Sequence, residues 1–108
     1  MDIQKTIVLT YGNEKIVSKP FTFGIAVLID DEQKRYFRKA SNEGLERDEI
    51  IESLPDNAIY LKALKKMFGG TIITDDVIEN EIDYTELRKA IKRIQNMYYQ
   101  IDDEIKNS

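Results

Sequence analysis

The feature that most narrows what this chain can fold into is the spacing of six apolar residues late in the sequence. Leu87, Ile91, Ile94, Tyr98, Ile101 and Ile105 follow one another at steps of 4, 3, 4, 3 and 4. At ~100° per residue they fall within a strip roughly 80° wide on one helix face. Ala90 and Met97 widen the strip toward the broader stripe of a core-facing helix. Arg88, Lys89, Lys92 and Arg93 project to the opposite side, where solvent is expected. Asp83 can cap the first free N–H groups, and Glu86 three residues on can reach back to it. No Pro or Gly interrupts the run, so the pattern predicts one helix over about 84–106, roughly 35 Å long.

Such a helix is not stable alone in water; its apolar face needs a surface. Burying the six side chains contributes at most ~9–18 kcal/mol before chain entropy is subtracted. The stripe from Leu87 to Tyr98 is expected to be buried, with Leu87 and Ile91 as core positions where truncation to Ala costs ~2–5 kcal/mol. Further along, the face can pack internally or serve another chain. Ile94, Met97, Tyr98, Ile101 and Ile105 are the candidate partner-binding residues, since Ile, Met and aromatic side chains give adaptable apolar contact.

The rest of the sequence bounds the setting. With 108 residues, 42% of them hydrophobic and 33% charged, a single soluble domain with one core is expected. The net charge of −4 argues against non-specific binding to nucleic acid or an anionic membrane. Without cysteine there is no disulfide framework, which suits a reducing cytoplasm. The longest apolar run, Phe23 to Ile29, is far too short to span a bilayer. Met1-Asp2-Ile3-Gln4-Lys5 does not have the form of a signal peptide, so the expectation is a protein that stays in the cytoplasm.

Taken in order, the chain reads as mainly α with a short N-terminal β-hairpin. Ile3 to Thr10 and Lys15 to Ser18 are the two strands of a hairpin over about 3–19, joined through Tyr11-Gly12-Asn13-Glu14. Phe21 to Ile29 is ambiguous between strand and helix. The helix formers that follow it favour one helix over about 22–39. A short helix over about 45–54 is stopped by Pro55. Asp56 or Asn57 can cap the next, about 57–68, which Gly69-Gly70 ends. Thr74 caps a short acidic helix over about 74–79, and the long helix follows.

Catalytic chemistry is thinly represented. There is no histidine, which removes the commonest general base and nearly every zinc site. Gly69-Gly70 follows a helix rather than a strand and lacks the ending of a phosphate loop. The acidic doublets diverge by ~100° on a helix and do not converge on one ion. No cofactor, metal site or enzymatic activity is therefore expected. Arg88, Lys89, Lys92 and Arg93 read as a solvated face rather than as phosphate contacts.

Three features together resemble the tail assembly chaperones of long-tailed bacteriophages and prophages. The first is the hairpin leading into a helix after Lys19-Pro20-Phe21-Thr22-Phe23. The second is the segment Lys65-Lys66-Met67-Phe68-Gly69-Gly70-Thr71-Ile72-Ile73-Thr74-Asp75-Asp76-Val77-Ile78, and the third is the acidic-to-amphipathic helix from Asp83. The resemblance implies a non-enzymatic protein that coats the tape measure protein before the tail tube forms, and one that self-associates. A generic helical adaptor or dimerising regulator is the competing reading. Charge points to self-association as well. Asp102, Asp103 and Glu104 sit near the negative end of the helix dipole. An antiparallel neighbour would bring them to Arg88, Lys89, Lys92 and Arg93, with Ile101 and Ile105 in the interface of a homo-oligomer.

Overall fold

The hairpin closes where two consecutive residues take left-handed backbone. Gly12 and Asn13 have φ of 58° and 69°, the pair of positive angles that a two-residue type I′ turn needs. Strands β1 (Val8–Tyr11) and β2 (Glu14–Val17) flank it, antiparallel and in register from Val8↔Val17 to Tyr11↔Glu14. The computed structural model describes residues 5–106, and their side chains as far as Ile101. β1 starts later than the sequence pattern predicts, since residues 5–7 are not strand, and Ile3 lies outside the described residues; β2 has the expected length, one residue earlier. At Ser18 the side chain joins the pairing: its hydroxyl accepts the Ile7 N–H at 2.9 Å while its own N–H donates to the Ile7 carbonyl.

The ambiguous run after Pro20 is helical. Helix α1 (Phe23–Asn42) ends three residues later than expected. Its stop is Gly44, with φ 93°. The Leu45 N–H returns to the Ala40 carbonyl at 3.1 Å and the Gly44 N–H to that of Ser41 at 3.0 Å, the Schellman arrangement. Helix α2 (Arg47–Ser53) starts where the Glu49 carboxylate accepts the Glu46 N–H at 3.0 Å. Helix α3 (Asp56–Met67) begins directly on Pro55 with no side-chain cap, so Asp56 serves as a first-turn acid rather than as the expected cap. Helix α4 (Asp75–Asn80) is capped by Thr74, whose Oγ1 accepts the Val77 N–H at 3.3 Å. Helix α5 (Tyr84–Lys106) is capped by Asp83, which accepts the Glu86 N–H at 3.1 Å.

Helix α3 is the centre of the packing. Tyr60, Ala63, Leu64 and Met67, with Phe68 just beyond, are almost wholly buried, and α1 and α5 both lie against the helix. Ile29 of α1, Ile94 of α5 and the inner hairpin residue Leu9 each have 0% exposure within the same apolar cluster. Ile73, Val77 and Ile78 bring the α3–α4 link and α4 into it.

Two charged side chains of α5 close the outer edge of β1. The Glu86 carboxylate accepts the Thr10 N–H, and Arg93 Nε donates to the Thr6 carbonyl at 3.1 Å. Glu86 and Arg93 are two helical turns apart, so the strand edge runs along the helix and is bonded at both ends. An open strand edge would otherwise offer unpaired groups to other chains. One expectation is corrected here: Glu86 bonds the strand rather than reaching back to complete a capping box. Arg93 is exposed, as expected, and also bonds the hairpin.

The apolar stripe of α5 is also divided differently from the expectation. Ile94 is fully buried and Ala90 and Met97 nearly so, whereas Leu87, Ile91, Tyr98 and Ile101 are only partly buried. The deepest burial lies mid-helix, where α3 packs; the hairpin over the first turns is thinner cover. Ile105 lies outside the described side chains. Accordingly, Ile94→Ala should cost ~2–5 kcal/mol in urea unfolding, but Leu87→Ala and Ile91→Ala only about 1–2 kcal/mol each, since less apolar area and a smaller cavity are involved. Equal losses at all three positions would contradict this packing.

Candidate protein-docking site

On the side of α1 away from α5, an open groove of about 240 Å³ lies between α1 and α3. From α1 come Glu32, Arg35, Tyr36 and Lys39; from α3 and its lead-in come Pro55, Ala58, Ile59 and Lys62. Spacings of three and four residues bring the α1 set to one helix face. The floor is apolar, made by the Tyr36 ring, Pro55, Ala58 and Ile59. Tyr36 is held in place at its far end: its hydroxyl donates to Ser53 Oγ at 2.8 Å, and that hydroxyl donates to the Ile50 carbonyl at 3.2 Å. Helix α2 thereby fixes one wall of the groove.

The rim is cationic. Glu32 is shared by Arg35 at 3.3 Å and Lys62 at 3.1 Å, and Lys39 adds a third positive charge from the last turn of α1, where the helix dipole favours it. One carboxylate against three cations leaves the rim positive on a chain whose net charge is −4. Exposed ion pairs of this kind add little stability. Their effect is on which partner approaches.

The residues expected to bind a partner are placed otherwise. Ile94 and Met97 belong to the core and cannot contact another chain without unfolding. Tyr98 is committed internally: its ring meets that of Tyr60 edge-on at 6.2 Å, and its hydroxyl bonds to Asp30 Oδ1 and lies 3.4 Å from Gln33 Oε1. Ile101 packs partly on the core, and Ile105 lies outside the described side chains. Of the basic set, Lys89 and Lys92 are exposed, and Arg88 donates to the Tyr84 hydroxyl at 3.1 Å and sits 5.8 Å from its ring centre. The groove was missed because Glu32, Arg35 and Lys39 read in sequence as a solvated face. The one signal was the apolar Tyr36 in their midst.

The α3–α5 seam contains one anomaly. The Tyr60 hydroxyl is buried without a hydrogen bond of good geometry, the Tyr99 side chain being close enough only for a poorly aligned one. Burial first, and then the neighbouring Tyr99, Asp56 and Tyr98, hold its proton on far above the usual phenol range. Among the described residues no group of His, Cys, Asp or Glu is placed to hold a metal ion, and no helix is long and apolar enough to cross a membrane. Compared with known proteins, the chain matches no family model, no curated protein and no solved structure.

The Tyr60 hydroxyl gives a clear test of the seam. Its raised pKa means that the unfolded chain loses this proton near pH 10.0 while the folded chain keeps it. Stability should then fall above that pH by about 1.4 kcal/mol per unit from this group alone. Tyr60→Phe should flatten that part of the alkaline profile. Near neutral pH it should be neutral or stabilising by up to ~1 kcal/mol, because a poorly bonded polar group is removed. A loss above ~1 kcal/mol at pH 7, measured by urea unfolding, would mean that the hydroxyl makes a good hydrogen bond.

Proposed function

We propose that this chain is a non-enzymatic protein-binding module of the assembly-chaperone type, which covers an apolar stripe of a client helix in the α1–α3 groove. The observation that carries this reading is the groove itself: an apolar floor with a charged rim and no convergent set of acid, base and nucleophile. An amphipathic helix lays its apolar face into such a channel and sets its polar residues against the rim. From Glu32 to Lys39 the α1 wall covers two helical turns, roughly 10 Å, enough for one short stripe of a longer client. Contact over so short a length gives weak, exchangeable binding, which suits holding a partner soluble rather than locking onto it.

The client proposed is a phage tape measure protein, in the cytoplasm of a bacterial host. That identity rests on the resemblance of the hairpin, the Phe68-Gly69-Gly70-Thr71 link and the acidic-to-amphipathic final helix to tail assembly chaperones. The groove, rather than Ile94 and Met97, is the proposed contact surface. A generic helical adaptor would use the same groove, with one fixed partner and no affinity for tape measure segments.

Co-expression with the tape measure protein of the same locus tests both levels. The expected outcome is that the client becomes soluble and co-purifies. Ala58→Glu, an exposed substitution that should change stability by no more than ~0.5 kcal/mol, should abolish co-purification by placing a charge on the groove floor. A client equally soluble with and without this chain removes the chaperone reading. Co-purification undiminished by Ala58→Glu removes the groove as its site.

A further inference from the structure

The α1–α3 groove is uncovered, positive at its rim and two helical turns long, and this chain carries a segment suited to it. Past Ile101 the backbone of α5 remains helical to Lys106, and over that stretch the sequence is Asp102-Asp103-Glu104-Ile105. Three consecutive acids near a helix C-terminus are unfavourably placed against the helix dipole. A cationic surface relieves them. The groove rim supplies one: Arg35 and Lys39 of α1 and Lys62 of α3 line it, and its one acid, Glu32, is already shared between Arg35 and Lys62.

A chain cannot satisfy its own groove in this way. Tyr98 fixes α5 to Asp30 and Gln33, which lie about 140° round α1 from the groove residues at 100° per residue. The helix has no Gly or Pro at which to fold back. The molecule is also elongated, with a Cα radius of gyration of 15.1 Å and a longest dimension of 47 Å, against about 13 Å expected for a compact chain of this size. The stretch from Ile101 to Lys106 is roughly 7.5 Å long, within the two turns the groove offers.

We propose that, without a client, the groove of one copy holds the acidic end of α5 from a second copy, the negative charge carried by the 102–104 stretch complementing the positive rim of Arg35, Lys39 and Lys62. Each copy then gives one helix end and receives one, in a reciprocal dimer or a run of copies. This differs from the antiparallel pairing with Arg88, Lys89, Lys92 and Arg93 expected from sequence, since Arg93 already holds the Thr6 carbonyl. It rests on the reading of the groove as a protein-docking site and adds a regulation: self-association and client binding exclude one another.

Charge reversal on each side tests the pairing by sedimentation equilibrium, with circular dichroism as the check on folding. Arg35→Glu with Lys62→Glu, and separately Asp102→Lys with Asp103→Lys and Glu104→Lys, should each weaken self-association about tenfold or more. All five substitutions in one chain should restore it, because the attraction returns with its signs exchanged. A wild-type chain that stays monomeric to about 100 µM overturns the proposal. So does either folded variant that associates like the wild type, or a five-fold variant no stronger than its parents. Co-purification with the client, read separately through Ala58→Glu, reports on the groove as a docking site. Persistent client binding beside failed self-association therefore overturns only this inference.

Discussion

The burial of α3 is the interaction on which the rest of the structure depends. A twelve-residue helix is marginal by itself in water, and its inner residues Tyr60, Ala63, Leu64 and Met67 are stabilised only because α1 and α5 cover it from two sides. Ala63 matters by its size: with no side chain beyond Cβ, it lets the covering elements approach closely. The hairpin, which would not hold alone, takes its stability from the same assembly through Leu9 and from the two α5 side chains that bond its outer edge.

That arrangement also explains why the groove exists. Helix α5 occupies the α3 surface on one side, and α2 is too short to extend along the other. Between α1 and α3 the chain therefore has no third helix to fill the space beside Tyr36 and Ile59. Arg35, Lys39 and Lys62 against the single acid Glu32 leave the rim of that opening positively charged. In the proposed arrangement the client and the acidic end of α5 would meet this surface through one physical rule, apolar floor to apolar stripe and cation to carboxylate, and would therefore compete for it.

The fold was largely legible in the residues. The 4-3 spacing of α5, Thr74 and Asp83 as caps, Pro55 as a stop and the Gly12-Asn13 turn are local signals, each acting within one helical turn or one hairpin, and each holds in the structure. The sequence places the end of α1 three residues early because Ser41 and Asn42 are weak helix formers, while the actual stop is the left-handed Gly44. The candidate site was barely legible. Glu32, Arg35 and Lys39 resemble any solvated helix face until Pro55, Ala58 and Lys62 are brought opposite them from more than fifteen residues away.

What the sequence by itself determined was the secondary structure and its order, because periodicity, caps and turn residues act over a few positions. What only the tertiary structure decided was how each amphipathic face is used. Ile94 and Ile101 occupy the same stripe and are indistinguishable in sequence, yet one is wholly buried and the other only in part, since burial depends on where α3 and the hairpin lie over α5. Glu86 could bond its own helix start or a distant strand with equal local plausibility. The position of Thr10, more than seventy residues earlier, settled it.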